Sequence, residues 1–290
     1  MLVLLIGAYG QLGTEFRRFF EKNGIDYIPV SRNRREDKTV VLDISDISKL
    51  KEVVIEYKPN LVINCSAYNN VDRAEYEDYH SAWLINTYGV MGLSLICNES
   101  KIPVIHYSTD YVFDGGKRKP YVEDDKTIPV NRYGITKLGG EEFLRFTCER
   151  YICLRVSWVF GEGGETNFIR KLLKWAQGGS VKVSVDEVSS PTYTETIVNV
   201  SWKLFENSVF GLYHLSSEGE CSRYEYAKFV LDTIGWKGEI IETTQSYFNL
   251  PAKRPSYSKL DSSRVKSLLG IEIPSWKEVV YRYLREEYRL

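Results

Sequence analysis

The chain has 290 residues, of which 43% are hydrophobic and 27% are charged, and its formal net charge is −1. This composition and length are typical of a globular protein with one or two hydrophobic cores. The net charge shows no excess of positive charge that would attract nucleic acid or an acidic membrane surface. No apolar run approaches the length of a membrane span, and the N-terminal run leads directly into glycines, unlike a secretory signal. We therefore expect a cytoplasmic protein with no nucleic-acid partner and no membrane partner.

The cysteines favour the same compartment. They are odd in number and scattered: Cys65, Cys97, Cys148, Cys153 and Cys221. They form neither a Cys-x-x-Cys pair nor a metal-ligand spacing, so we predict reduced thiols and no metal site.

Short apolar runs alternate with helical patterns in the first half of the chain. The pattern predicts strands at 2–6, 27–30, 40–42, 61–65, 104–108 and 152–156. It predicts helices at 14–23, 47–57, 79–98 and 133–150. This alternation indicates an α/β fold with a Rossmann-type, doubly wound parallel sheet, which binds its ligands at the carboxyl ends of the strands.

The alternation loosens after Gly161. The later pattern predicts helices at 167–177, from Pro191 to about 206, and at 276–288, with strands at 181–185 and 211–215. We predict a sheet domain from residues 1–161 plus about 192–216. Residues from about 162–191 plus 217–290 would form a smaller C-terminal α/β lobe that binds the substrate.

A glycine-rich loop, GAYGQLG, follows the first strand and opens the first helix. Its glycines, Gly7, Gly10 and Gly13, have the spacing G-x-x-G-x-x-G, a variant of the dinucleotide fingerprint G-x-G-x-x-G. Glycines allow a tight turn and let backbone N–H groups approach a pyrophosphate. The strand–loop–helix context therefore favours a dinucleotide cofactor.

The end of the second strand predicts which dinucleotide is bound. A carboxylate there would bind the ribose 2′-hydroxyl of NAD, whereas an arginine accommodates a 2′-phosphate. The sequence has Ser31 and Arg32 there, followed by further arginines and no acid at the strand end. We therefore predict NADPH, with NADH as the alternative.

Two Tyr-x-x-x-Lys pairs occur, Tyr133–Lys137 and Tyr224–Lys228. Residues four apart are neighbours on a helix, so spacing alone does not separate a catalytic pair from an exposed helix face. Only Tyr133 follows the fifth strand, in the half of the chain that carries the glycine loop. We predict that Tyr133–Lys137 is functional and that Tyr224–Lys228 occurs by chance.

The order of these motifs resembles the extended short-chain dehydrogenases/reductases, and among them the dTDP-4-dehydrorhamnose reductases. The resemblance covers nearly the whole chain and rests on GAYGQLG (7–13), LDISD (42–46), NCSAYNNVDRAE (64–75), STDYVFDG (108–115), YGITKLGGE (133–141), RVSWVFG (155–161) and RPSYSKLD (254–261). One segment departs from the family, which usually has Asp-Gln-x-Gly before Pro-Thr. Here Asp186 is followed by Glu187, and Ser189 stands where the family has glycine.

The resemblance implies an NADPH-dependent reduction of the C4 ketone of a nucleotide-linked 6-deoxyhexose, dTDP-4-dehydrorhamnose. Tyr133 would donate the proton, and Lys137 would lower the pKa of Tyr133 and hold the nicotinamide ribose. Thr109 would hydrogen-bond the ketone oxygen. Ser108 is the alternative donor, because successive strand residues point to opposite faces.

The resemblance also implies contacts to the two ligands. The expected cofactor contacts are Gly7, Gly10, Gln11, Leu12, Gly13, Ser31, Arg32, Asp43, Ile44, Cys65, Ser66, Ala67, Tyr68, Tyr133 and Lys137. The expected substrate contacts are Tyr111, Trp158, Asn167 and Arg254. Core packing is the alternative for Trp158, and a surface position is the alternative for Arg254.

Other functions and partners stay open. Glu187 and Ser189 leave room for a reductase or an epimerase of another nucleotide-linked 4-keto sugar. The regulatory subunit of methionine adenosyltransferase also resembles this family, although the intact Thr109, Tyr133 and Lys137 count against a non-catalytic protein. A homodimer is a further open prediction.

Overall fold

The computed structural model describes residues 1–163 and 167–288. Its strands are β1 (Leu2–Ile6), β2 (Asp26–Ser31), β3 (Val40–Val41), β4 (Leu61–Asn64), β5 (Val104–Thr109), β6 (Tyr151–Val156), β7 (Val159–Phe160), β8 (Ser180–Ser184), β9 (Val188–Ser189), β10 (Thr192–Tyr193), β11 (Gly211–Leu215), β12 (Cys221–Ser222) and β13 (Glu239–Thr243). Its α-helices are α1 (Gln11–Asn23), α2 (Ile47–Tyr57), α3 (Tyr79–Trp83), α4 (Gly89–Glu99), α5 (Arg132–Thr147), α6 (Phe168–Ala176), α7 (Thr194–Glu206), α8 (Arg223–Thr233), α9 (Ser263–Leu269) and α10 (Trp276–Tyr288).

A seven-stranded sheet forms the centre of the molecule, in the order β11-β6-β5-β4-β1-β2-β3. Every neighbouring pair in this sheet is parallel. The order runs outwards from β1 in both directions, so the chain is wound on both sides of the first strand. This arrangement confirms the predicted Rossmann-type fold.

Alternate residues of β1 belong to two different core clusters, which shows that both faces of the sheet are covered. Val3 and Leu5 pack in a cluster with Phe16 and Phe20 of α1. Leu4 and Ile6 pack in the cluster that contains side chains of α2 and α4. A strand buried on both faces needs a continuous apolar sequence, and LVLLI provides one.

Several elements differ from the sequence prediction, and three of them differ most. The long helix expected over 79–98 is interrupted by a π-helical turn, Leu84–Tyr88, between α3 and α4. The helix expected from Pro191 begins at Thr194, because Thr192 and Tyr193 pair with β7 as a short strand. β13 was not predicted, since its sequence EIIET does not alternate; it pairs in parallel with β8.

A third core cluster lies in the second half of the chain and contains side chains of α6, α8 and α10. α7 and β11 return to the central sheet, where β11 pairs with β6. The limits given above for the two domains stay a prediction. None of the helices in the described part of the chain combines the length and apolar composition that a membrane crossing requires.

Candidate active site

A cleft of about 770 Å³ opens at the carboxyl ends of β1, β2, β4 and β5. Nearly all of the expected cofactor contacts line it: Gly7, Gly10, Gln11, Leu12, Ser31, Arg32, Asp43, Ile44, Cys65, Ser66, Ala67, Tyr68, Tyr133 and Lys137. Gly13 is the exception and lies behind the turn. The fold therefore brings together residues from five separate segments of the sequence.

The glycine turn is closely packed. Gly7 has a φ of +77°, and a Cβ there would lie 2.7 Å from the backbone nitrogen of Ser66. A Cβ on Gly13 would lie 2.1 Å from the carbonyl oxygen of Gly7. Gly13 thus permits close contact between α1 and the turn, while Gly7 and Gly10 line the cleft.

Two polar features of the cleft suit a dinucleotide phosphate. The side-chain amide nitrogen of Gln11 is buried and has no hydrogen-bond partner within residues 1–163 and 167–288. At the end of β2, Arg32 lines the cleft together with Arg35, which was not among the expected contacts. Guanidinium groups at this place fit a ribose 2′-phosphate.

The loop after β4 is held by two buried amides. Asn64 Oδ1 accepts hydrogen bonds from the backbone nitrogen and the hydroxyl of Ser66, at 3.0 and 2.6 Å. Asn86, in the π-helical turn, accepts from the backbone nitrogen of Tyr68 and donates to its carbonyl oxygen, both at 2.9 Å. Cys65 lies between Asn64 and Ser66 in the sequence, and burial raises the pKa of its thiol, which favours the unreactive protonated form.

Tyr133 and Lys137 lie in the first turns of α5, which the Asn131 side chain caps by accepting a hydrogen bond from Gly134 N at 2.8 Å. Lys137 is buried, and its Nζ donates to the carbonyl oxygen of Tyr107 at 2.6 Å. Burial lowers the pKa of Lys137 to about 8, against the raising effects of Cys153 and Glu141.

The pKa of Tyr133 differs from the expectation. Burial raises it to about 12, although a hydrogen bond with Thr109 opposes the shift. The charge of Lys137 is not among the causes of this shift. In this structure Tyr133 therefore keeps its proton well above neutral pH.

Both candidate hydroxyl donors of β5 line the cleft. Thr109 Oγ1 donates to Asp110 Oδ1 at 3.1 Å and accepts from Tyr111 N at 3.2 Å. Ser108 Oγ is buried and has no partner among the described residues. The strand ends at Thr109 and the chain turns there, so the alternation that would separate the two hydroxyls breaks down.

Asp110 connects Thr109 to the C-terminal half of the chain. Its carboxylate accepts hydrogen bonds from Ser258 at 2.5 Å and from Ser189 at 3.5 Å. Burial raises its pKa to about 6, against the lowering effects of the Ser258 and Thr109 hydrogen bonds and of the Arg223 charge. Asp110 is therefore a buried acid in direct contact with a predicted catalytic hydroxyl.

A second, larger cavity of about 1090 Å³ lies on the side of the C-terminal half. Lys171, Lys182 and Lys253 line it, and Arg254 lines it as expected for a substrate contact. Both terminal nitrogens of Arg254, however, bind the carboxylate of Asp72 at 2.7 Å.

The other three expected substrate contacts differ in position. Tyr111 and Trp158 line the first cleft, and the Tyr111 ring meets the Tyr133 ring edge-on at 6.0 Å. Asn167 lines neither cavity. It caps α6 by accepting from Arg170 N at 2.9 Å, and it donates to the carbonyl oxygen of Gly161 at 3.0 Å. These contacts are structural, and the substrate contact of Asn167 stays a prediction.

Comparison with known proteins identifies the family. The model of the RmlD substrate binding domain matches residues 1–289. The chain belongs to this family. This result confirms the predicted resemblance, and two of the three relatives described next are named dTDP-4-dehydrorhamnose reductase.

Several relatives match almost end to end. The spore coat polysaccharide biosynthesis protein SpsK of Bacillus subtilis is 35% identical over 98% of this chain and 97% of its own length. The dTDP-4-dehydrorhamnose reductase of Escherichia coli is 31% identical over 99% of this chain and 98% of its own length. A crystal structure of dTDP-4-dehydrorhamnose reductase from Bacillus anthracis, in complex with NADP, has a TM-score of 0.92 and 30% identity, covering 98% of this chain and 99% of that chain.

Arg223 is a residue of this RmlD-family site that the sequence did not reveal. It lines both cavities, and its Nε donates to Glu187 Oε1 at 3.0 Å. The partners are distant in sequence, so no local pattern joins them. The one signal in the sequence that could have pointed to Arg223 was Glu187, since a buried carboxylate requires a partner.

The second Tyr-x-x-x-Lys pair stays away from the site. Neither Tyr224 nor Lys228 lines either cavity, and the Lys228 ammonium pairs with Asp232 at 3.1 Å on an exposed face of α8. In the part of the chain that the structure describes, no group of three or more His, Cys, Asp or Glu side chains is placed to hold a metal ion.

Proposed function

We propose that this RmlD-family protein reduces the C4 ketone of dTDP-4-dehydrorhamnose to dTDP-L-rhamnose with NADPH. The observation that carries the proposal is the placement of Thr109, Tyr133 and Lys137 in one cleft with the glycine turn. Relatives that match nearly the full chain are named dTDP-4-dehydrorhamnose reductases, which supports the same reaction.

The cleft fits NADPH. At Gly7 the turn leaves no space for a Cβ against the Ser66 backbone, and the N-terminus of α1, which follows the turn, can receive a pyrophosphate. The unpartnered Gln11 amide and the Arg32 guanidinium would bind phosphate oxygens. When bound, NADPH supplies the hydride that reduces the ketone carbon.

Tyr133 is suited to give the proton. Its pKa of about 12 keeps the hydroxyl protonated at neutral pH, so it can donate as charge develops on the ketone oxygen. The Thr109 hydroxyl would donate a second hydrogen bond to that oxygen by turning away from Asp110. The Lys137 ammonium, held by the Tyr107 carbonyl, would bind the nicotinamide ribose.

The two cavities divide the substrate between them. The hexose would lie in the cleft, against Tyr111 and Trp158, within reach of Tyr133. The nucleoside diphosphate would lie in the larger cavity, where lysines provide positive charge. A cytoplasmic location agrees with the five free cysteines and completes the proposal.

The test is NADPH consumption with dTDP-4-dehydrorhamnose by the wild type and by Tyr133→Phe. We expect kcat to fall by about 10²- to 10⁴-fold, the usual contribution of a general acid, while NADPH binding persists. Tyr224→Phe is the matched control, because it removes the hydroxyl of the second Tyr-x-x-x-Lys pair, and it should keep full activity. Equal rates for Tyr133→Phe and wild type would refute the assignment of the acid.

The alternatives are less well supported. A regulatory subunit has no need for Thr109, Tyr133 and Lys137 in one cleft. An epimerase or a reductase of another 4-keto sugar becomes the better proposal if the wild type binds NADPH and does not turn over dTDP-4-dehydrorhamnose.

A further inference from the structure

Arg223 stands where the two cavities meet. Among the described residues it alone lines both the cleft that contains Tyr133 and the larger cavity beside the C-terminal half. A nucleotide sugar that places its hexose near Tyr133 and its nucleoside in the larger cavity must pass this point. The group of such a substrate that joins hexose to nucleoside is the diphosphate.

The guanidinium of Arg223 is held in a fixed position. Its central carbon lies 3.6 Å from the centroid of the Trp158 ring and 5.0 Å from that of Phe168. Trp158 itself has a φ of +41°, a left-handed conformation that a bulky residue rarely adopts. The backbone nitrogen of Arg223 also donates to the Glu187 carbonyl oxygen at 3.0 Å.

The hydrogen-bonding capacity of Arg223 is only partly used. Its Nε donates to Glu187, but within residues 1–163 and 167–288 neither terminal nitrogen has a hydrogen-bond acceptor. Arg254, which also lines the larger cavity, gives both terminal nitrogens to Asp72. Of these two arginines, Arg223 is therefore the one with its fork free for a ligand.

Glu187 also has an explanation in this arrangement. A free carboxylate at this place would repel a diphosphate, but the Arg223 guanidinium compensates its charge at 3.0 Å. The contact uses Nε and leaves the two terminal nitrogens without an acceptor among the described residues, and a guanidinium fork matches phosphate oxygens. Glu187, which differs from the residue usual in the family at this position, thus orients the Arg223 guanidinium.

We propose that Arg223 is a specificity-determining residue that binds the sugar-side phosphate of the nucleotide-sugar substrate through its two terminal nitrogens. This inference rests on the proposed function, because it assumes that a nucleoside diphosphate sugar occupies both cavities. It replaces Arg254 with Arg223 as the arginine in contact with the diphosphate.

Calorimetric binding of dTDP and dTMP to the full chain tests the proposal without catalysis. dTMP lacks the sugar-side phosphate. We expect Arg223→Gln to weaken dTDP binding by about 10- to 100-fold, the effect of losing charge-assisted hydrogen bonds, and to leave dTMP binding unchanged. Arg223→Lys should recover only part of the affinity, because a point charge lacks the fork.

Arg282→Gln is the matched control. Arg282 also forms an ion pair, with Glu195 at 2.5 Å, and lies over an aromatic ring, that of Tyr193 at 5.4 Å, but it lines neither cavity. It should bind both nucleotides like the wild type. In kinetics, Arg223→Gln should raise KM for the nucleotide sugar and leave the Kd of NADPH unchanged.

The outcomes separate the two proposals. Three results would each overturn the role of Arg223. The first is equal dTDP binding by the wild type and Arg223→Gln, and the second is an equal weakening of dTDP and dTMP binding in Arg223→Gln. The third is no dTDP binding by the wild type. Binding of dTDP that depends on Arg223, without turnover of dTDP-4-dehydrorhamnose, would support this inference and refute the proposed reaction.

Discussion

Burial shifts the pKa of Tyr133 and the pKa of Lys137 in the directions that favour the uncharged side chains. It raises the pKa of Tyr133 to about 12 and lowers the pKa of Lys137 to about 8. Near neutral pH the tyrosine therefore keeps its proton while the lysine is still mostly charged. This combination suits a reductase, since the acid carries its proton and a charged ammonium group is present to hold the ribose of the cofactor.

The first prediction concerns the alkaline limb of the pH profile. As pH rises through about 8, Lys137 loses the charge that the mechanism needs, so kcat/KM should decline there. Lys137→Arg keeps a positive charge and should shift that decline to higher pH in whatever activity it retains. A kcat/KM that stays constant from neutral pH to about pH 10 would contradict this role.

A second prediction concerns Asp110 and stability. Its pKa of about 6 in the folded protein exceeds its usual value of 3.8, so the folded state holds this proton more tightly than the unfolded state. The stabilisation is complete below about pH 4 and is lost as pH rises through about 6, by about 3 kcal/mol at most. The free energy of unfolding should therefore fall less over this range in Asp110→Asn than in the wild type.

Urea denaturation at several pH values measures this difference. The Asn variant also changes hydrogen bonds to Ser258 and Thr109, but that effect is the same at each pH. Parallel pH dependence in the two proteins would show that Asp110 keeps an ordinary pKa.

Among the elements, the π-helical turn between α3 and α4 has a clear effect on the site. It places Asn86 so that its amide donates to Thr136 Oγ1 at 3.0 Å and forms two bonds with the Tyr68 backbone. A Cβ on Gly140 would lie 2.0 Å from the Asn86 carbonyl oxygen, so α5 packs directly on the turn. The turn thus joins the helix of Tyr133 to the loop that lines the cofactor cleft.

The third prediction follows from this connection. Asn86→Ala removes three hydrogen bonds, of which one is buried and two are partly buried, and should lower the free energy of unfolding by about 2–4 kcal/mol. NADPH binding should weaken as well, because Tyr68 loses its support. Asn98→Ala is the control: its exposed amide holds one backbone nitrogen, that of Glu149 at 3.2 Å, and its loss should affect neither property. Unchanged NADPH affinity in Asn86→Ala would show that the turn does not support the cofactor site.

Elements with strong local signals were predictable from the sequence. α2 and β11 begin and end at the predicted residues, because an apolar pattern and clear breakers bound them. The π-helical turn was not predictable, since its sequence LINTY continues the helical pattern and its hydrogen bonding depends on packing against α5. The short strand β10 depends likewise on its partner β7.

The site shows the same division. Residues within motifs, such as the glycine turn and the Tyr133–Lys137 pair, could be placed because each motif carries its own chemistry. Arg223 could not be placed, because its importance comes from the meeting of two cavities. Asn167 was expected at the substrate, which stays a prediction; the structure shows it as a helix cap, a role that its position before an amphipathic helix also allows.

At the scale of the whole molecule, contacts between distant segments close the site. Asp72, after β4, pairs with Arg254, and Asp110, after β5, accepts a hydrogen bond from Ser258. The chain also returns to the sheet through α7 and β11 after building part of the C-terminal half. These connections favour unfolding as one unit.

The fourth prediction is that NADPH stabilises the entire chain. At a free concentration of one hundred times its Kd, NADPH should raise the free energy of unfolding by about 2.7 kcal/mol and shift a single transition. Fluorescence of the tryptophans and far-ultraviolet circular dichroism should report the same midpoint. Two transitions, of which NADPH moves only one, would show that the predicted domains unfold independently.

The late position of β11 affects how the protein is made. β6 ends at Val156, but its neighbour at the sheet edge spans Gly211–Leu215. During synthesis the hydrogen-bonding edge of β6, with the sequence YICLRV, is therefore exposed while the intervening residues are translated. A chain that stops before Gly211 keeps this edge exposed permanently. We expect such truncated products to aggregate through β6, even though the glycine turn and the Tyr133–Lys137 pair are already complete.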